Sequence, residues 1–267
     1  MVITDKDRTM NKFRRRLLNH EKLIGMEVDL NDPCISEMIA LQGFDFIWID
    51  TEHEAIDYHS VLMHIIAAHS GGAASLVRIP WNEPYLAKRI LEMGPDGIIF
   101  PMVNTFEEAK KAIDSCLYPP LGSRGFGPRR AVGYDGDNIN TYIPNVADSF
   151  CRLIQIEHIK GVMAMEKMAE IPCLDGFILG PCDLSGSIGK LNDLYCPENV
   201  EVIDTAIGIS KKSGKPIGVA YGGMTLEEHS WWFERGIDFI SSGSDIGAVV
   251  AKAKENIKNL RTARSKF

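Results

Sequence analysis

The sequence predicts a single (β/α)8 TIM barrel of the α/β class, and three observations predict it. Short apolar runs alternate with amphipathic segments from residue 23 to residue 260, giving eight strand-then-helix units. The runs lack in–out alternation, as expected of parallel strands buried on both faces. The length of 267 residues suits one barrel, which typically takes about 250 residues. No linker divides the chain, so one domain is expected over 1–267. A helical extension over about 1–20 precedes it, and a long functional loop over 118–150 interrupts it.

The elements follow in order. Leu23 to Val28 reads as the first strand, and Asp32-Pro33 starts a helix through Leu41. Phe44 to Asp50 is an apolar run ending in acid, and Tyr58 to His69 has helical period. Ser75 to Ile79 is β-prone, and the helix Glu83 to Met93 is closed by Gly94. Gly97 to Phe100 is a strand and Phe106 to Cys116 a helix. Tyr118 to Asn145 has no sustained period and reads as a functional or mobile loop. Alternation resumes with strand Arg152 to Glu157, helix Lys160 to Ala169 and strand Asp175 to Leu179, then an irregular loop. Helix Glu198 to Ser213, strand Pro216 to Ala220, helix Thr225 to Arg235, strand Ile237 to Ser241 and helix Ile246 to Leu260 complete the set.

Composition excludes several classes. Lys plus Arg is 29 and Asp plus Glu is 36, a net charge of −7 that disfavours nucleic acid as partner. The run Arg14-Arg15-Arg16 reads as a solvated helix face. None of the six cysteines forms C-x-x-C, which argues against a zinc ribbon. No apolar h-region or membrane-length stretch is present, so a cytoplasmic protein with reduced thiols and no membrane partner is expected. No G-x-G-x-x-G follows the first strand, against a dinucleotide fold.

Chemistry in a barrel of this kind sits where the strands end. Strand 2 ends Asp50-Thr51-Glu52-His53, strand 3 in Arg78, strand 5 in Gln155-Ile156-Glu157-His158, and strand 6 runs into Cys182-Asp183. A carboxylate at a strand end is often only the N-cap of the next helix. Several charged ends converging on one mouth point to a site. Glu157 and Asp183, from adjacent strands, suit Mg²⁺ or Mn²⁺, which accept carboxylates and keep positions for substrate oxygens. Asp50 with His53 suggests a carboxylate-oriented imidazole base. Arg78 would place a fixed positive charge near a developing enolate, or else pair with Glu52 or Glu54. No lysine lies at a strand end, since Lys215 precedes strand 7 and Lys160 belongs to a helix; an imine mechanism is therefore disfavoured. In the Gly125 to Arg130 loop, Arg129 and Arg130 would either hold an anionic tail of a second substrate or order an oligomer contact.

Six stretches, taken together, carry a resemblance: GFDFIWIDTEHEAID (Gly43 to Asp57), LVRIPWNEP (Leu76 to Pro84), IIFPMVNTFEEAKKAI (Ile98 to Ile113), YPPLGSRGFGPRRA (Tyr118 to Ala131), LIQIE (Leu153 to Glu157) and DGFILGPCDLSGSIG (Asp175 to Gly189). The chain resembles the HpcH/HpaI family of metal-dependent (class II) pyruvate aldolases, within the citrate lyase-like barrel superfamily. The resemblance implies a carbon–carbon lyase that cleaves a 4-hydroxy-2-keto acid to pyruvate and an aldehyde. It implies Glu157 and Asp183 as ligands of Mg²⁺, Mn²⁺ or Co²⁺, with Gln155 lining the site. Backbone N–H groups near Cys182 and Asp183 would hold the pyruvate carboxylate, Arg78 would stabilise the enolate, and His53 oriented by Asp50 would be the acid/base. It also implies a homo-oligomer, a hexamer built as a trimer of dimers that exchange the last helix, Ile246 to Leu260. The chain departs from close aldolase relatives at Thr51, where Gly is usual, at Glu54, where a small residue is usual, and at Cys182, where Ala is more typical. The rival expectations are a citrate lyase-like or malyl-CoA lyase-like enzyme acting on a CoA thioester, and a non-catalytic keto-acid-binding relative.

Overall fold

The computed structural model describes residues 10–267. Eight parallel strands close into one barrel in chain order. They are β1 (Leu23–Val28), β2 (Phe46–Asp50), β3 (Ala74–Arg78), β4 (Gly97–Phe100), β5 (Cys151–Ile156), β6 (Gly176–Leu179), β7 (Ile217–Tyr221) and β8 (Phe239–Ser244). The helices are α1 (Lys12–Leu18), α2 (Cys34–Leu41), α3 (Tyr58–Ser70), α4 (Pro84–Glu92), α5 (Phe106–Asp114), α6 (Ile139–Asn145), α7 (Ile159–Met168), α8 (Pro181–Ser187), α9 (Pro197–Ser213), α10 (Leu226–Arg235) and α11 (Asp245–Arg264). The expected barrel is thus the observed one.

Two apolar cores hold it. Residues such as Ile47, Ile49, Val77, Ile98, Ile154, Ile156 and Leu179 face outward and pack under the helices. The alternate residues face inward, because side chains switch faces at every strand position. Leu23, Phe46, Trp48, Leu76, Ile99, Cys151, Leu153, Ile178 and Phe239 fill the interior. Gly25 and Gly218 leave the room that the Phe46 and Phe239 rings occupy. The same inward rows become polar as they rise: Phe46 and Trp48 lead to Asp50, Leu76 leads to Arg78, and Leu153 leads to Gln155. The strands therefore carry an apolar floor and a polar mouth on one face.

Helix α1 closes the bottom, with Phe13 and Leu17 joining the interior core and Phe13 set 5.5 Å from the Phe46 ring. Here the arginine run differs from the expected solvated face. Arg14 is buried, pairing with Asp148 at 2.7 Å and Asp175 at 2.8 Å, and Arg16 meets Glu21 and Asp45. Asp175 also pairs at 2.8 Å with Arg152, whose side chain is fully buried. One acid thus joins two guanidiniums beneath the barrel.

The 118–150 segment is also more ordered than expected. It contains α6 and short 3-10 turns, and it is anchored by Arg124. That guanidinium bonds Tyr142 and Glu92 and lies 4.7 Å from the Tyr118 ring centroid. The stretch after β6, expected as an irregular loop, opens with α8, started by Pro181 at its first position. Helix α11 is the outlier, since Asp245 is its one buried residue. Ile246, Val249, Val250, Ile257 and Leu260 stand exposed along it.

Candidate active site

The mouth is built from the ends of β1, β2, β3, β5 and β6. Glu157 follows β5 and continues its inward row, so its carboxylate is buried yet directed into the mouth. Its Oε1 accepts a 2.6 Å hydrogen bond from Gln155 Nε2, and its Oε2 accepts one of 2.9 Å from the Met102 backbone N–H. Burial, with the nearby Asp183 charge added, pushes its pKa up to about 6 despite those donors and Arg78. Gly180 makes this seat possible: a Cβ there would stand 2.8 Å from Glu157 Cγ and Oε1. Asp183 lies in the first turn of α8 and is exposed. The backbone N–H groups of such a first turn have no acceptors within the helix.

Across the mouth, strand register decides the pairing. Asp50 and Arg78 are direct neighbours on β2 and β3. Arg78 Nε donates to Asp50 Oδ1 at 2.8 Å and Nη2 to Oδ2 at 2.6 Å, a two-pronged contact. Nη2 also reaches Glu27 Oε1 at 3.3 Å, and Nη1 reaches Gln155 Oε1 at 3.5 Å. The guanidinium sits 5.2 Å from the Trp48 ring centroid. Burial alone would lower its pKa, but the Asp50 hydrogen bond and charge raise it, so Arg78 is a permanent cation. Glu27 and Glu52 are both raised to about 8, first by burial and then by neighbouring carboxylates, with Arg78 opposing.

Carboxylate oxygens of Glu27, Asp29 and Asp50 lie within 4.8 Å of one another. Arg78 already compensates that group, whereas Glu157 and Asp183 form a separate pair on the β5–β6 side.

Most sequence-nominated residues thus reach one mouth: Asp50, Arg78, Gln155, Glu157, Cys182 and Asp183. Two readings change, those of the Asp50–His53 dyad and of Arg130. The Asp50–His53 dyad is not formed by the side chains. Asp50 reaches only the His53 backbone N–H, at 3.4 Å, because Arg78 occupies both of its oxygens. The His53 ring is largely exposed and stands 3.9 Å from Glu52 Oε2. His158 caps α7, its Nδ1 accepting from Lys160 N–H at 3.1 Å. Arg130 is fixed at the opposite end of the barrel, donating at 2.6 Å to Met93 O and at 3.2 Å to Gly94 O, the open carbonyls after α4. Arg129 is exposed in the same loop. Glu27, Gly180 and the Met102 N–H were not singled out from sequence, although Gly180 lies within G-P-x-D; Glu52, named only as a possible partner of Arg78, does lie 3.3 Å from Arg78 Nε.

A closed parallel barrel with carboxylates and a fixed guanidinium gathered at its C-terminal mouth has the architecture of a (β/α)8 barrel enzyme. The comparisons make this specific. A match to the HpcH/HpaI aldolase/citrate lyase family covers residues 23–251, and the chain belongs to that family. It is 29% identical over 253 residues to a hydroxypyruvate/pyruvate aldolase of Roseovarius nubinhibens, covering 94% of this chain and 97% of that one. It is 33% identical over 240 residues to a 5-keto-4-deoxy-D-glucarate aldolase of Klebsiella pneumoniae, covering 89% and 91%. The crystal structure of an HpcH/HpaI aldolase/citrate lyase family protein from Burkholderia cenocepacia superposes with a TM-score of 0.88 at 26% identity, covering 94% of this chain and 99% of that one.

Proposed function

We propose that the chain is a divalent-metal-dependent aldolase that reversibly cleaves a 4-hydroxy-2-keto acid to pyruvate, or a close analogue, and an aldehyde. The observation that carries this reading is the Glu157–Asp183 pair with Gln155, set across the mouth from an Arg78 already held rigid. The donor set fits a hard cation: two carboxylates, Glu157 buried and Asp183 exposed at the mouth. Glu157 and Asp183 would hold Mg²⁺, Mn²⁺ or Co²⁺, which when bound supplies Lewis acidity to the keto oxygen. Arg78 supplies fixed positive charge to the enolate that forms as the carbon–carbon bond breaks. Gln155 braces both, donating to Glu157 and accepting from Arg78. The first-turn N–H groups of Cys182 and Asp183 offer donors for the substrate carboxylate. His53 is the acid/base.

The test is pyruvate release from a panel of 4-hydroxy-2-keto acids with each metal, with EDTA, and in Glu157→Ala. Metal-dependent release lost in the variant is expected; full activity in EDTA would overturn the reading. The CoA-thioester alternative is not favoured, because the basic loop that could have met a nucleotide is anchored by Arg130 at the far end of the protomer.

The homo-oligomer belongs to the same proposal. Helix α11 presents an exposed apolar stripe, and an apolar groove formed by Ile24, Met26, Phe44, Met224, Phe233 and Ile240 lies open on the outside of β1 and β8. A partner's α11 filling that groove would build the exchanged dimer, three of which would make the hexamer. Deleting residues 246–267 should reduce the mass in solution by light scattering; an unchanged mass would refute the exchange. A cytoplasmic setting with reduced thiols belongs to the same proposal and rests on the sequence reading.

A further inference from the structure

Asp50 has no capacity left for an imidazole. A carboxylate offers about four lone-pair sites. Oδ1 accepts from Arg78 Nε at 2.8 Å and Glu52 N–H at 2.9 Å, and Oδ2 from Arg78 Nη2 at 2.6 Å and His53 N–H at 3.4 Å. The two backbone donors belong to the turn that follows β2. That turn wraps over Asp50 by its main chain and leaves the His53 ring outside.

Glu52 is in the opposite condition. Its side chain is nine-tenths buried, and its Oε2 is buried without a hydrogen-bond donor. Arg78 Nε lies 3.3 Å from that oxygen, but its N–H is directed to Asp50. A buried acceptor left unmet is costly, so this oxygen has a strong demand for a donor. Among the described residues, Glu52 supplies the one carboxylate within ion-pair range of the His53 ring, Oε2 to Nε2 being 3.9 Å. Contacts between catalytic groups are often long before substrate binds and tighten in the complex.

We propose that Glu52, rather than Asp50, is the positioning carboxyl of His53. A ring movement of about 1 Å brings Nε2–H onto Oε2 at hydrogen-bond distance. That bond fixes the Nε2–H tautomer and leaves Nδ1 as the accepting nitrogen. In cleavage, Nδ1 takes the proton of the substrate C4 hydroxyl while the C3–C4 electron pair passes into the enolate. Burial disfavours the ionised form of Glu52 in the free site, and the imidazolium forming beside it stabilises that carboxylate and is stabilised in turn; the same proton then returns to C3 to give the methyl group of pyruvate. The tautomer follows from the contact itself; its catalytic consequence rests on the aldolase reading.

The test uses the full chain with histidine labelled in ¹⁵N at both ring nitrogens, the His53 signals being identified by their loss in His53→Gln. The wild type should show the Nε2–H tautomer. Glu52→Ala should mix the tautomers and lower kcat by about tenfold or more, with KM changed less than about twofold. Glu52→Gln, whose amide oxygen accepts the same bond, should keep the tautomer and recover part of kcat. Asp50→Asn should leave the tautomer in place. A tautomer indifferent to Glu52→Ala, or one lost in Asp50→Asn alone, would overturn the proposal. If the wild type shows the expected tautomer and its loss in Glu52→Ala, yet releases no pyruvate from any substrate, the positioning contact stands and the aldolase reading fails.

Discussion

Replacing Gly180 by Ala adds one carbon beside the candidate metal pair. The new Cβ would lie 2.8 Å from Glu157 Cγ and Oε1 and 2.9 Å from Gln155 Nε2, where ordinary contact begins at 3.4 Å. Glu157 must therefore retreat by about 0.6 Å, the difference between 2.8 and 3.4 Å. It is held by Gln155 at 2.6 Å and Met102 N–H at 2.9 Å, so the retreat strains both bonds. Gly180 has φ −102° and ψ 87°, outside the left-handed region, so backbone strain is not the cause of any loss. Overpacking of this kind costs about 1–3 kcal/mol. Disturbing groups that orient a metal ligand lowers affinity by about 10–100-fold. Calorimetric titration with Mn²⁺ and thermal unfolding check the two effects separately. Gly189→Ala is the control: its φ is +77° and nothing lies within 4 Å, so it should cost about 1 kcal/mol through the backbone and leave Mn²⁺ affinity alone. Wild-type Mn²⁺ affinity in a folded Gly180→Ala protein would refute Glu157 as ligand.

Three further outcomes are expected. Asp175→Asn leaves buried Arg152 and Arg14 without their shared acid and should cost about 3–5 kcal/mol in urea unfolding with kcat unchanged; a loss under about 1 kcal/mol would contradict the buried network. Arg78→Met should lower kcat/KM for cleavage by about 10²–10³, measured by coupled pyruvate assay, and near-normal turnover would remove Arg78 from the enolate role. Burial lowers the pKa of His64 below its ordinary 6.5, so the unfolded chain binds more protons and stability is lost as pH falls below about 6.5. His64→Gln should flatten that loss in melting temperature between about pH 6.5 and 5; an unchanged slope would show that His64 does not drive it.

The barrel was legible because its strands are buried on both faces and each apolar run ends abruptly in charge. Gln155 and Glu157 could be placed by parity, since they share the inward row with Leu153. What escaped depends on contacts between distant segments. Asp50 and His53 are near in sequence, but β2–β3 register sets Asp50 beside Arg78, and a guanidinium at 2.6 Å outcompetes a ring three residues on. Arg14 looked solvated because its partner Asp175 is 161 residues away. Arg130 looked available because the carbonyls it caps, Met93 O and Gly94 O, lie just after α4, far from Arg130 in sequence. Helix α8 did leave a signal, Pro at its first position and Asp183 in its first turn, in a stretch read as a loop.

The plug formed by α1 gives the barrel a kinetic character as well as a stable base. With the interior packed by Phe46, Trp48, Leu76 and Leu153 and covered beneath by Phe13 and Leu17, the mouth has a closed floor, and traffic passes through one rim. For the proposed cleavage, the keto-acid half lies deepest, against Glu157 and Arg78, and the aldehyde half lies above it. The aldehyde must therefore depart before pyruvate can, and in the synthetic direction pyruvate must arrive first. Product-inhibition patterns should then be ordered, with pyruvate competing against the hydroxy acid and the aldehyde inhibiting noncompetitively; random-order patterns would mean that the mouth has a second outlet.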